Sequence, residues 1–106
     1  MKKCLRLLVV LGVLSGGNAH GADAQAILAK YRCTICHADY DTIAGPPYAE
    51  VAARLKGNPK ARAIIVAVVR KGVHGSGPWP MPPSPQVAPA DADVVARYIL
   101  ALKPQG

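Results

Sequence analysis

Residues 31–40 read YRCTICHADY, which places Cys33, Cys36 and His37 within five positions. Three chemistries use such a group. A Cys-x-x-Cys pair can be a redox dithiol, it can supply half of a zinc site, or, with a histidine directly after it, it can anchor c-type haem. A thioredoxin-like dithiol belongs beside a βαβ pattern, and this chain shows no alternating strands. A structural zinc site needs four ligands. Only the distant His74 could join these three, and the adjacent Cys36 and His37 reach one tetrahedral ion poorly. The haem reading explains the spacing. Two cysteines one helical turn apart can each form a thioether with a vinyl-derived carbon of one porphyrin. His37 is then carried beneath the plane, where its imidazole can coordinate iron.

An iron held by His37 has one axial position left. Met81 lies in the proline-stiffened stretch PWPMPPSP, off any helical stripe, and a thioether ligand raises the reduction potential by stabilising Fe(II). His74, in KGVHGSG, is the competing ligand, or else a surface histidine. With His37 and Met81 both bound, no site remains for oxygen or substrate. The domain is then an electron carrier, and turnover chemistry belongs to its partners.

These residues need elements to hold them, and the N-terminus is not expected to supply any. Lys2, Lys3 and Arg6 precede an apolar run from Leu7 to Leu14 and then small residues, the layout of a secretory signal peptide. Cleavage is expected after Gly21, with Ala24 as the alternative, leaving residues 22–106 as one periplasmic domain. The apolar run is near half of the ~20 residues a bilayer span requires. Losing three cations and no acid lowers the formal charge from +7 to +4, which weakens a nucleic-acid reading. Cys4 goes too, so only the motif cysteines remain. A chain this short struggles to bury enough apolar surface, and small exported domains usually add a disulfide, a metal or another buried group. A Cys33–Cys36 disulfide closes too short a loop to help much. The sequence has no Phe, one Trp and four Tyr, so something other than side chains is expected to fill its centre.

The pattern predicts four short helices and no sheet. The first spans about Asp23 to Arg32, with Ile27, Leu28 and Tyr31 inward. The second follows Gly45-Pro46-Pro47 and repeats Tyr48, Val51, Ala52 and Leu55 at helical spacing until Gly57. The third starts from an Asn58-Pro59 cap and runs to Lys71, although its Ala63–Val69 run also suits a buried strand. The stretch from Gly72 to Pro89 holds six prolines and is expected to be a functional loop. The last helix spans about Ala90 to Lys103, with Val95, Tyr98, Ile99 and Leu102 in one stripe, and with Asp91, Asp93 and Lys103 placed as its dipole favours.

With both axial candidates placed, residues 22–106 resemble the small bacterial class I cytochromes c of the c-551 type. The resemblance rests on CTICH, on GPPYAEVAARL from Gly45 to Leu55, on PMPP from Pro80 to Pro83, and on the C-terminal ARYILALK. It implies an all-α fold of about four short helices around one covalently bound haem c, with the first and last helices crossed through Leu28 and Tyr98. It also implies that the carbonyl of Pro46 accepts the other ring N–H of His37. The family's propionate-holding Trp precedes a Gly-Pro pair. Here Trp79 follows Gly77-Pro78, the loop is about one residue shorter, and Val68 replaces an expected Arg. Trp79, Arg70, Lys71 and His74 are therefore the substitutes for propionate contact. The mature positive charge includes Lys30, Arg32, Arg54, Lys56, Lys60, Arg62, Arg70 and Lys71, and a basic rim near the exposed haem edge is expected to steer docking to acidic redox partners. The alternatives are a dedicated haem subunit of a periplasmic oxidoreductase, such as a sulfur-compound dehydrogenase, and a haem sensor or peroxidase with a labile sixth ligand.

Overall fold

The computed structural model describes Gly12, residues 19–75 and residues 80–105. Most of the expected signal segment, and Trp79, lie outside the described residues. Helices α1 (Ala19–Lys30), α2 (Tyr48–Leu55), α3 (Ala61–Lys71) and α4 (Pro89–Ala101) form the fold, with a 3-10 turn at Cys33–Ile35. Among the described residues there is no strand, only single bridges between His37 and Thr42 and between Val73 and Met81. No helix among them is long and apolar enough to cross a membrane.

The helix boundaries differ from the sequence pattern for local reasons. Expected to reach Arg32, α1 instead stops at Lys30. The Tyr31 and Arg32 amides still donate to the Ile27 and Ala29 carbonyls, at 3.1 and 3.2 Å. Arg32, however, takes φ 60° and ψ 29°, the left-handed conformation that turns a chain out of a helix. Glycine is the usual signal for that turn, and here it is absent. α3 begins at Ala61, later than the cap reading implies. Asn58 Oδ1 accepts the Lys60 amide at 2.9 Å and the Asn58 carbonyl accepts the Ala61 amide at 3.1 Å, which makes a separate turn over Pro59. The Ala63–Val69 run is helical, so the strand alternative falls. α4 ends at Ala101, leaving Lys103 beyond the helix.

α4 is the central element and packs against α3, α1 and α2. Leu28, Ile65, Val95 and Ile99 meet in the core with the small residues Ala52 and Ala96. Ala24, Ala92 and Ala96 are fully buried, and their size lets the helices approach closely. Polar pairs fix the angles between helices. Arg62 donates to both carboxylate oxygens of Asp93 at 2.7–3.0 Å, joining α3 to α4, and Tyr31 donates to Asp91 at 2.7 Å. Leu28 sits in the α1–α4 crossing as expected. Tyr98 packs at the edge of the core, where its hydroxyl accepts from Gln25 of α1 and donates to Asp39, each at 2.7 Å. One side chain thus ties both terminal helices to the segment that follows the cysteine motif.

Burial and then the Asp39 carboxylate raise the pKa of the Tyr98 hydroxyl to about 12, above the ordinary value of 10. A phenol held neutral by the fold contributes stability that is whole below pH ~10 and lost as pH climbs towards 12. Tyr98→Phe should lower the unfolding free energy at pH 7 by about 1 kcal/mol, the usual worth of such a bond. It should also flatten the decline in stability between pH ~10 and ~12, measured by denaturant titration at each pH.

Candidate functional site

The 3-10 turn shapes the motif. Its carbonyl at Cys33 accepts the amides of Cys36 and His37 at 3.2 and 3.0 Å, so both thiols and the imidazole face one cleft. Cys33 is half-buried, Cys36 is exposed, and both are free thiols. His37 Nδ1 lies 2.8 Å from the carbonyl oxygen of Pro46. A carbonyl can only accept, so Nδ1 carries the proton and the lone pair of the neutral ring is on Nε2. Further contacts hold the backbone around His37 and one face of its ring. The Gly45 amide donates to the Cys36 carbonyl at 2.7 Å, and Thr42 bridges to His37. Tyr48 stacks on the imidazole with centroids 5.3 Å apart. A Cβ at Gly45 would run into the ring, 2.8 Å from Nδ1, so only glycine fits beside it. The segment after the motif also starts α2, because the Ala38 and Asp39 carbonyls accept the amides of Tyr48 and Ala49 at 2.9 Å.

The cleft these residues face is an apolar cavity of about 270 Å³. α3 contributes Ile64, Ile65, Val68 and Val69, α2 contributes Val51 and Leu55, and Leu28, Val95 and Ile99 form its floor. Polar groups are few. The Tyr48 hydroxyl is buried without a hydrogen-bond partner, and burial, more than its neighbours Cys33 and Asp39, keeps it protonated. Met81 is half-buried in the wall made by the proline-rich loop. That loop is pinned by a reciprocal pair of bonds between Val73 and Met81, at 3.0 and 3.1 Å, and by the Ser84 amide on the Val69 carbonyl at 3.2 Å. Beneath it lies Gly72, at φ 73° and ψ 179°, a conformation essentially confined to glycine. A Cβ there would fall 2.6 Å from the Met81 carbonyl oxygen and 2.7 Å from the Pro83 nitrogen.

This geometry separates the three chemistries. Reactive dithiols need a lowered thiol pKa. Burial, and secondarily Cys36, push that of Cys33 up. Among the described residues no three His, Cys, Asp or Glu side chains converge on a point that could hold a metal. His74 is exposed and does not line the cleft. Two thiols, one imidazole lone pair and one thioether around an apolar cleft fit a flat macrocycle carrying a single iron. Of the substitutes for propionate contact, Arg70 donates to the Val87 carbonyl at 3.1 Å, and neither it nor Lys71 lines the cleft. Sequence reasoning missed Ser84 and Val87, both in the wall, and named Arg32 only as one of the surface cations. Val87 is 2 % exposed and had no helical stripe to reveal it.

No protein-family model matches the chain. Individual relatives do. Cytochrome c-551 of Allochromatium vinosum is 41% identical over 79% of this chain and 92% of its own length. Cytochrome c-552 of Hydrogenobacter thermophilus is 37% identical over 97% of this chain and all of its own. The crystal structure of wild-type Nitrosomonas europaea cytochrome c552 superposes with a TM-score of 0.71 at 31% identity, covering 74% of this chain and 99% of that one. The chain therefore belongs to the small cytochromes c of the c-551 and c-552 kind, electron carriers rather than enzymes, with one covalently attached haem c.

Proposed function

We propose that Cys33 and Cys36 hold the haem through two thioethers, that His37 and Met81 are its axial ligands, and that the exported protein carries single electrons between redox proteins in the periplasm. The observation that carries this reading is the convergence of both thiols, His37 and Met81 on one apolar cleft. Export is supported by the signal-like N-terminus, since covalent haem attachment in bacteria takes place outside the cytoplasm.

The bound haem supplies a one-electron iron couple. The chain's residues set its properties. Pro46 orients the imidazole of His37 and leaves Nε2 free to meet the iron. Met81 offers a soft, weak donor that favours Fe(II), and the Val73 bonds hold that donor in place. The α3 side chains keep water off the cleft, which lowers the reorganisation that accompanies a change of charge. Trp79, on the same loop as Met81, is the proposed propionate partner. With His37 and Met81 both bound to it, the iron would exchange electrons and take no substrate.

Met81→Ala tests the ligation. The ferric protein should lose the weak far-red band of a thioether–iron bond and its midpoint potential should fall. An unchanged spectrum and potential would remove Met81 from the site. Gly72→Ala and Gly57→Ala form a matched pair, because both glycines have positive φ, at 73° and 78°, but a Cβ at Gly57 meets open space. Gly57→Ala should cost about 1 kcal/mol and leave the spectrum intact. Gly72→Ala should cost about 1–3 kcal/mol more and weaken the far-red band, since its Cβ displaces the backbone of Met81.

A further inference from the structure

The acidic side chains of the domain differ in how their charges are met. Among the described residues, Glu50 pairs with Arg54, Asp91 with Lys30, and Asp93 with Arg62 and Arg97. Asp23 and Asp41 are exposed to water. Asp39 has neither answer. It is half-buried, no cation among the described residues pairs with it, and its Oδ2 accepts a bond from the neutral hydroxyl of Tyr98 at 2.7 Å. Drawing an anion partly out of water without a counter-ion opposes stability. Such local conflicts persist where the group has a use.

The position of Asp39 indicates that use. It lies two residues past His37 and is held at both ends. Its backbone carbonyl accepts the Ala49 amide at 2.9 Å, near the start of α2, while Tyr98 of α4 holds its carboxylate. Gln25 of α1 donates to the same phenol at 2.7 Å, so the Tyr98 oxygen is already an acceptor and its proton is directed at Asp39. The charge of Asp39 also reaches the cleft. After burial and Cys33, Asp39 is the next influence that keeps the Tyr48 hydroxyl protonated, and Tyr48 stacks on the His37 ring.

We propose that Asp39 is a tuning residue of the iron couple, a fixed negative charge that Tyr98 clamps beside the His37 segment and that favours Fe(III). The assignment rests on the reading that His37 and Met81 ligate a haem iron. Reduction adds one electron at the iron, and an anion held nearby in surroundings less polar than water opposes that addition. Met81 pulls the couple the other way, and the reduction potential is the balance of the two. Tyr98 is the positioning residue. Without its hydroxyl the carboxylate is free to turn out into water, where its field is screened.

The test uses the haem-loaded protein, the single variants Asp39→Asn, Asp39→Glu, Asp41→Asn and Tyr98→Phe, and Asp39→Asn combined with Tyr98→Phe. Asp39→Asn removes the charge, keeps the shape and leaves an oxygen that can still accept from Tyr98. Asp41→Asn removes the same charge from the same segment at an exposed position. Midpoint potentials are read by spectroelectrochemical titration, and denaturant unfolding of each variant records stability separately.

Asp39→Asn should raise the equilibrium constant for reduction about three- to tenfold. At about 59 mV per tenfold for one electron, that is an upward shift of ~30–60 mV. Asp41→Asn should give less than half of it. Asp39→Glu keeps the charge and should stay near the wild-type potential. Tyr98→Phe should move the potential part of the way up and add nothing once Asp39 is Asn, because Tyr98 acts only through that carboxylate. The proposal falls if Asp39→Asn shifts the potential no more than Asp41→Asn, or if Tyr98→Phe has the same effect with and without the Asp39 charge. Where Asp39→Asn fails to retain haem, an unchanged potential in Tyr98→Phe overturns it. Should the wild-type protein show no one-electron iron couple, the haem reading falls and takes this assignment with it.

Discussion

The bond between His37 Nδ1 and the Pro46 carbonyl, at 2.8 Å, is the constraint from which the site is organised. It decides which imidazole nitrogen carries the proton, and so which one can meet a metal. It also sets the path of the backbone. Residues 37–46 must leave the motif, turn and return within hydrogen-bonding distance of where they began, and the Gly45 amide on the Cys36 carbonyl closes that turn. Gly45 has no room for a side chain because the ring occupies it, and Pro47 then launches α2 with Tyr48 already stacked on the imidazole. Electronic and architectural roles fall on the same few atoms.

The second constraint is an interior that the chain does not complete. Four helices enclose a core of modest side chains, in which Leu28 and Val87 are the largest that are fully buried. Beside that core the α3 face opens onto the cleft. A single-domain protein with so few aromatic residues has little else to put there. Covalent attachment of haem c suits this deficit, since a tethered group cannot leave and can act as part of the core. The loop carrying Met81 is then the lid over the remaining wall, held by Val73 above Gly72.

That Cys33, Cys36, His37 and Met81 share one cleft was legible in the sequence, because these residues are adjacent or singular. Cys33, Cys36 and His37 form one motif, and Met81 is the single methionine beyond the N-terminal one. The helices were legible too, since the stripes at Tyr48–Leu55 and Val95–Ile99 keep one period. The boundaries were not. Arg32 ends α1 by a backbone conformation that its side chain does not advertise, and Asn58 caps a turn where a helix start was expected. Contacts between distant segments were also hidden. Nothing in the pattern says that Tyr98 reaches Gln25 and Asp39, or that Arg70 turns to the Val87 carbonyl, because both depend on how α4 crosses its neighbours.

The claim on which the rest depends is that a haem covalently fixed at Cys33 and Cys36 completes this domain. Intact-mass measurement of the exported, fully denatured chain tests it most directly. The account predicts a mass above that of the mature polypeptide by one haem, and loss of that increment when both cysteines are changed to alanine. A denatured wild-type chain at the bare polypeptide mass would contradict it.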